Sequence, residues 1–392
     1  MDGLHEEVVA IVEKSTTTTD REHVVVNRLE YAGSYNWVEA KKPTIIVPGS
    51  PAYWRDRPLP YQVAPDTKAQ FVDQAGDRLG SMPLYPIIHA VDLMSEDKGG
   101  EFNWSMVDFV ADRNSLRKLL SWVQDKAKTK PFRIATQLAG SRTVLLNRWE
   151  AITREAAGNW PINFQRESTF LAPGCEHIPI VSHHRIVNYD FGGLNMVVRF
   201  SVDACIPPPS TSTQDAHQQV DMVDTDDLSS MLSNMGIATS LDQGVEIDRE
   251  ASTSDLDVIR AGKPVPQSSL IEITTRTERN ARSYNWTDTY PQLYFSQTAY
   301  RFMAIHDHGN FYEVEKRGLD EPKSEEIKKG LQGDFNKLKD ALQTIQNLVI
   351  AHGERGRLSL VFQDGTLRVF ERKSLESCLP DDMLGRFERS HQ

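Results

Sequence analysis

The sequence predicts an α+β protein in which helices flank one central mixed β-sheet. Two segments rich in β-branched residues, Asn195–Ile206 and Ser268–Thr277, are predicted to be strands. Apolar residues recur at three- and four-residue steps over Lys323–His352, which predicts a long helix. After it, two alternating runs joined by Asp364 and Gly365 predict a β-hairpin.

The elements before these strands can be predicted in the same way. Pro43–Pro60 is rich in proline and is predicted to be an extended surface segment. A helix is predicted to begin at Asn114 and Ser115, with its leucines on one face. We expect residues 1–20 to form a flexible N-terminal tail and residues 21–392 to form a single domain.

The composition is that of an ordinary soluble globular protein, with 39% hydrophobic and 25% charged residues in a chain of 392. Three cysteines (Cys175, Cys205 and Cys378) are too few for a disulfide scaffold and favour a reducing compartment. The first residues lack the apolar segment of a signal peptide, and no run approaches 18 apolar residues. We therefore expect a nuclear or cytoplasmic protein that is not secreted and has no membrane partner.

The net charge of −11 is concentrated in one segment. Residues 215–257 carry a net charge of −10, whereas the rest of the chain carries −1. The surrounding stretch, residues 207–263, has no aromatic residue and is rich in Ser, Thr, Asp and Gln, which predicts a disordered, low-complexity acidic insert. The net charge therefore does not exclude a nucleic-acid partner.

Acidic residues lie on both predicted strands that flank the insert. Because alternate residues of a strand share a face, Ser201 and Asp203 point the same way, as do Glu272, Thr274 and Arg276. If the strands are neighbours, Asp203 and Glu272 project side by side, and such a carboxylate pair can hold a hard cation such as Mg²⁺. The alternative is that both acids belong to a solvent-facing strand surface.

These two segments resemble the metal site of the DXO-type RNA decapping exonucleases and their fungal relatives. That family places Glu-hydrophobic-Asp on one strand and Glu-hydrophobic-Lys on the next, where this chain has Ser201-Val202-Asp203 and Glu272-Ile273-Thr274. Its members remove incomplete or non-canonical RNA 5′ caps, and some bind and stimulate a nuclear 5′→3′ exoribonuclease. The resemblance implies a nuclease-like fold related to the PD-(D/E)xK enzymes.

Three further segments carry the resemblance. ADRNSLRKLL is similar to the family's Trp-Arg-Gly segment, NWPINFQREST falls where the family has Gly-Tyr-Lys-Phe-Glu, and TYPQLYFSQTAYRFMAIHDHGNF resembles the Trp-Ala-Gln segment. The residues at the family's arginine, glutamate and glutamine positions are Arg113, Gln165 and Gln292. The likeness spans Asn27 to Phe387, interrupted by the insert.

The resemblance implies a degenerate catalytic site. Among the carried-over positions, the retained residues are Arg113, Asp203, Glu272 and Gln292, and the changed ones are Gln165, Ser201 and Thr274. An amide and a hydroxyl lack the charge that holds Mg²⁺ against its hydration shell, and threonine cannot neutralise a reacting phosphate. We therefore predict a pseudo-nuclease in RNA processing or decay, whose metal site at Asp203 and Glu272 is weak or lost. Its RNA-binding side chains would be Arg113, Arg276 and Gln292.

Two other interpretations remain open. Arg276 could reach back towards a phosphate, and Glu167 could replace Gln165, which would give an active RNA 5′-end decapping pyrophosphohydrolase or 5′→3′ exoribonuclease that requires Mg²⁺ or Mn²⁺. Otherwise the chain is a pure protein–protein adaptor. The expected partner is an RNA 5′ end, an RNA-processing protein such as a 5′→3′ exoribonuclease, or both.

Overall fold

Two large β-sheets organise the chain. The computed structural model describes residues 2–16, 23–126, 129–156, 158–209, 246–353 and 357–388. The strands in this part of the chain are β1 (Leu4–Val12), β2 (Val26–Val38), β3 (Thr44–Pro48), β4 (Tyr53–Trp54), β5 (Tyr61–Gln62), β6 (Gln70–Phe71), β7 (Phe109–Asp112), β8 (Phe132–Ala139), β9 (Thr143–Trp149), β10 (Arg154–Glu155), β11 (Thr169–Phe170), β12 (Ile180–Phe191), β13 (Leu194–Val202), β14 (Ala204–Cys205), β15 (Asp257–Ala261), β16 (Leu270–Thr277), β17 (Tyr300–Asp307), β18 (Asn310–Gly318), β19 (Arg357–Gln363) and β20 (Thr366–Arg372). The α-helices are α1 (Gln74–Leu79), α2 (Tyr85–Glu96), α3 (Arg113–Val123), α4 (Pro161–Glu167), α5 (Glu278–Arg282), α6 (Trp286–Ser296), α7 (Pro322–Gly330), α8 (Gln332–His352) and α9 (Asp381–Leu384).

The predicted mixed sheet with flanking helices is confirmed, although there are two large sheets where one was expected. Among the described strands, eleven form the larger sheet in the order β1-β20-β19-β8-β9-β7-β13-β12-β2-β3-β15. Seven form the second sheet in the order β11-β4-β14-β16-β17-β18-β5. The larger sheet is mixed because β13 pairs antiparallel with β12 and parallel with β7.

Helices cover both faces of the larger sheet at its centre. Along β13, Met196 and Val198 join the core that α3, α6 and α8 complete, whereas Val197 joins the core that α2 completes on the opposite face. These three residues are fully buried. A strand covered on both faces reads as a continuous apolar run, which explains why this segment is so rich in valine.

The chain passes from the larger sheet to the second sheet at Asp203. The predicted strand Asn195–Ile206 is divided there into β13 and β14, and β14 pairs antiparallel with β16, with Ala204 opposite Ile271. The strands before and after the acidic insert were expected to belong to one sheet. This is right for β14, which pairs with β16, and wrong for β13, which lies in the larger sheet. The crossing places Asp203 beside the strand that carries Glu272.

The end of the predicted acidic insert is ordered. Residues 210–245 lie outside the described residues, but β15 pairs in parallel with β3, and Leu256 and Val258 are fully buried. The prediction of a disordered insert over residues 207–263 is therefore wrong for its last part. The physical reason is that a short apolar stretch inside a polar segment can complete a sheet edge.

The prediction of a flexible tail over residues 1–20 is also wrong for Leu4–Val12, which form β1. β1 pairs antiparallel with β20, with Leu4 opposite Arg372 and Val12 opposite Leu367. The side chains of Leu4 and Val12 are buried at 3% and 2% exposure. Pairing satisfies the backbone groups of an otherwise exposed sheet edge, which anchors the start of the chain.

The other predicted elements agree with the structure in part. The hairpin of β19 and β20 is confirmed, and Asp364 and Gly365 have the positive φ angles that its two-residue turn requires. The long helix is two helices, α7 and α8, which meet at Leu331. Pro43–Pro60 is a surface segment only in its last part, because β3 and β4 are buried strands of the two sheets, whereas Asp56 and residues 58–60 are exposed. Among the described residues, no helix is long and apolar enough to cross a membrane.

Candidate active site

Glu272 lies at the centre of the site, held by two side chains from different elements. Arg113, the first residue of α3, donates from Nη1 to Glu272 Oε2 at 2.8 Å, and Gln292 of α6 donates from Nε2 to Glu272 Oε1. Arg113 and Glu272 are 7% and 8% exposed. Burial disfavours the charge of Glu272, but the positive charges of Arg113 and Arg301 outweigh it and hold the pKa below its ordinary value.

Asp203 lies next to Glu272 and is held by the backbone. Its Oδ2 accepts a hydrogen bond of 2.7 Å from the Ile273 amide, and its own carbonyl oxygen accepts one of 2.7 Å from Gln165 Nε2. Burial raises the pKa of Asp203 to about 7, and the negative charge of Glu272 adds to this shift. The two carboxylates therefore differ in character: Glu272 is ionised, and Asp203 retains a proton to near neutral pH.

The raised pKa of Asp203 predicts a specific pH dependence of stability. Between about pH 4 and pH 7 the folded state binds a proton that the unfolded state releases, so stability falls as the pH rises through this window. Asp203→Asn keeps an acceptor for the Ile273 amide but removes the titration. Urea unfolding at pH 5 and pH 8 should therefore show a smaller loss of stability for Asp203→Asn than for the wild type. An equal or larger loss in the variant would contradict the assignment.

The three residues that differ from the DXO-type pattern lie on α4, β13 and β16. Gln165 of α4 contacts the main chain of Asp203, Ser201 is exposed near the end of β13, and Thr274 is half-buried on β16. Arg276 donates to the Thr275 carbonyl, and its guanidinium lies 5.5 Å from the ring centre of Tyr284.

Glu167 does not join the carboxylates. Its Oε2 accepts from Arg57 Nη1 at 2.7 Å, in an ion pair whose side chains are 51% and 36% exposed. The hypothesis that Glu167 replaces Gln165 therefore lacks structural support.

Two arginines that the sequence interpretation missed complete the site. Arg301 of β17 is paired in register with Glu272 and is 4% exposed, and its positive charge acts on both Asp203 and Glu272. Arg117 lies one turn after Arg113 on α3, and burial together with the Arg113 charge lowers its pKa to about 10. A single arginine within the apolar strand run of β17 was the signal that could have indicated Arg301.

A cavity of about 370 Å³ opens beside this cluster. Polar residues from several elements line it, among them Arg113, Arg117, Arg148, Gln165, Arg199 and Ser201. Arg199 is neutralised by Asp112, and Arg148 donates to Glu150 at 2.8 Å. Arg113 is paired with Glu272 in the same way. Among the lining residues that the structure describes, this leaves Arg117 as the guanidinium group without an ion pair, and its positive charge suits the cavity wall to an anion.

The residues present do not fit a divalent metal. Within the part of the chain that the structure describes, no three His, Cys, Asp or Glu side chains lie close enough together to hold an ion. Both oxygens of Glu272 accept hydrogen bonds from side chains, and one oxygen of Asp203 accepts from the backbone. Mg²⁺ requires charged oxygen ligands free to displace its water, so this pair is a poor site for it.

One family model covers nearly the whole chain. The family described as "Domain of unknown function (DUF8563)" matches residues 6–387. The chain belongs to this family. Comparison with curated proteins finds no match.

Solved structures similar to this DUF8563 chain include those of Rai1 and Dxo1 proteins. Rai1 of Scheffersomyces stipitis, in complex with (3'-NADP)+ and calcium ion, has a TM-score of 0.56 and 11% identity, covering 97% of this chain and 99% of that one. Rai1 of Candida albicans, in complex with pU5-Mn2+, has a TM-score of 0.53 and 10% identity, covering 97% and 98%. Rai1 of S. pombe has a TM-score of 0.53 and 12% identity, covering 90% and 96%. The fold expected from the DXO-type resemblance is therefore confirmed.

Proposed function

We propose that this chain is a catalytically degenerate DXO-like protein that binds phosphorylated RNA 5′ ends, as a binding or scaffold subunit in RNA processing. One observation carries the proposal: Glu272, a retained acidic residue, has both carboxylate oxygens engaged by Arg113 and Gln292. An acid committed to two donors within the protein is a poor metal ligand, and Gln165 and Ser201 supply no charge in its place.

The cavity supports binding of an anionic chain end. Arginine guanidinium groups form paired, charge-assisted hydrogen bonds with phosphate, and Arg113 and Arg117 both line the cavity. The shared fold supports RNA as the ligand class, since Rai1 of C. albicans is solved in complex with pU5-Mn2+.

The residues at and beside the lysine position of the DXO-type pattern disfavour hydrolysis. Thr274 stands at the family's lysine position, and Arg276 lies against Tyr284, where it could bind a phosphate but cannot deprotonate water. Reaction rates fall by orders of magnitude when one member of a catalytic set is lost, and the members act as a unit. Losing three members therefore favours binding without turnover.

Purified protein mixed with short RNAs bearing a 5′ monophosphate, triphosphate, NAD or unmethylated cap tests the proposal. We expect phosphate-dependent binding and no product with either Mg²⁺ or Mn²⁺. Binding should weaken with salt, with a slope of about −0.7 for each phosphate contacted. Turnover that Asp203→Ala abolishes would instead establish the alternative, an active decapping enzyme or 5′→3′ exoribonuclease. Absence of any RNA binding would favour a protein–protein adaptor.

The protein partner we propose is an RNA-processing protein such as a 5′→3′ exoribonuclease, which would receive the RNA end that this chain holds. The nuclear or cytoplasmic location stays a prediction. The RNA-binding assay tests neither the protein partner nor the cellular location, because it needs only the isolated chain.

A further inference from the structure

Two side chains near the site have buried polar atoms without a hydrogen-bond partner among the described residues. Arg301 is 4% exposed, and within the described residues its Nε and Nη1 have no hydrogen-bond partner. The same holds for Tyr284 Oη, which is buried there without a partner, and the Tyr284 ring centre lies 5.6 Å from the Arg301 guanidinium. Buried donors without acceptors are costly, so such a group of unsatisfied atoms points to a ligand that accepts hydrogen bonds.

The strand register places Arg301 beside Glu272. Glu272 of β16, Arg301 of β17 and Arg317 of β18 form one row across three paired strands, so their side chains share a face of the second sheet. Arg317 is neutralised by Glu315, with Nη2 and Oε1 2.7 Å apart. By contrast, Arg301 Nε and Nη1 have no hydrogen-bond partner among the described residues.

The charge at this end of the row is positive. The guanidinium groups of Arg113, Arg117 and Arg301 act on Glu272, and those of Arg113 and Arg301 act also on Asp203. Three cations therefore face two acids. The region that lacks the ligands for a divalent cation thus has a surplus of positive charge supplied by the protein.

We propose that Arg301 and Tyr284 bind the terminal phosphate of an RNA directly, so that guanidinium cations replace the divalent metal ion. Arginine is suited to this role because its planar fork donates two parallel hydrogen bonds to phosphate oxygens. The Tyr284 hydroxyl would donate a third. This inference rests on the proposed function and adds to it that binding of the 5′ phosphate is independent of metal.

The test compares 3′-labelled pentauridylate with a 5′ monophosphate or a 5′ hydroxyl, in EDTA and in Mn²⁺. We expect the wild type to bind the phosphorylated RNA at least about tenfold more tightly than the hydroxyl form, equally in both buffers. Arg301→Gln should abolish this preference. Tyr284→Phe should reduce it several-fold without lowering Tm, because the hydroxyl it removes has no partner in the free protein.

The matched control is Arg317→Gln, which removes a guanidinium from the same row but one already paired with Glu315. It should leave the phosphate preference unchanged. A preference that appears only with Mn²⁺, or one that survives Arg301→Gln in a folded variant, overturns the inference and leaves RNA-end binding standing. No preference in either buffer overturns the proposed function as well.

Discussion

Replacing Asp112 with alanine is expected to lower the free energy of unfolding by about 3–5 kcal/mol, because it leaves a buried guanidinium without its carboxylate. Arg199 is 2% exposed and donates from Nε and Nη2 to the two oxygens of Asp112 at 2.7 and 2.8 Å. Its Nη1 also donates to the Pro83 carbonyl at 2.7 Å. Urea unfolding monitored by circular dichroism would measure the loss.

Loss of the ion pair between Asp112 and Arg199 should also affect the candidate site. Asp112 ends β7 and immediately precedes Arg113, whereas Arg199 lies on β13 two residues before Ser201. The ion pair therefore fixes the start of α3 against the strand that leads to Asp203. We expect Asp112→Ala to weaken RNA binding even at temperatures where the variant is folded.

Two controls distinguish the effect of breaking a buried ion pair from the effect of removing any charged side chain. The exposed pair of Arg260 and Asp97, with side chains 33% and 53% exposed, should tolerate Asp97→Ala at a cost below about 1 kcal/mol. Combining Asp112→Leu with Arg199→Met should recover most of the stability, since an apolar pair can replace a buried ion pair. A loss below about 1 kcal/mol for Asp112→Ala would contradict this account of the pair.

Local patterns were sufficient for part of the fold. The β19–β20 hairpin depends on two adjacent residues with positive φ, and the β-branched residues identified the segments that carry Asp203 and Glu272. The prediction failed where pairing partners are distant in sequence. Leu4–Val12 and Asp257–Ala261 become strands only because β20 and β3 offer edges to them, and no local window contains that information.

The same limit explains which parts of the site were missed. That Asp203 and Glu272 are neighbours follows from the short pairing of β14 with β16, but the place of Arg301 depends on β17 lying parallel to β16. Two helices, α5 and α6, separate these two strands in the sequence, so their register cannot be read from spacing. The roles assigned to Arg113, Arg276 and Gln292 stay predictions until binding is measured.

If lost charge is what keeps metal from this site, then returning charge should restore metal binding. Gln165 and Ser201 both line the cavity, and Gln165 already contacts the main chain of Asp203. The double variant Gln165→Glu/Ser201→Glu would bring two further carboxylates towards Asp203 and Glu272, which is the kind of ligand set that Mg²⁺ and Mn²⁺ require. We expect the variant to be less stable than the wild type in EDTA, because like charges repel.

Added Mn²⁺ should reverse that loss. At a free concentration of 100 times Kd, binding to the folded state alone adds about 2.7 kcal/mol, which raises Tm measurably, whereas the wild type should show no shift. The matched control is the single variant Ser201→Gln, in which Gln165 is unchanged. Its two glutamines have nearly the same volume as the two glutamates of the double variant but carry no charge. A metal-dependent rise in Tm for the wild type or the control would show that missing charge is not the cause. If the double variant binds Mn²⁺, adding Thr274→Lys should then bring detectable hydrolysis of 5′-phosphorylated RNA, because the cation at the family's lysine position is the remaining absent member of the set.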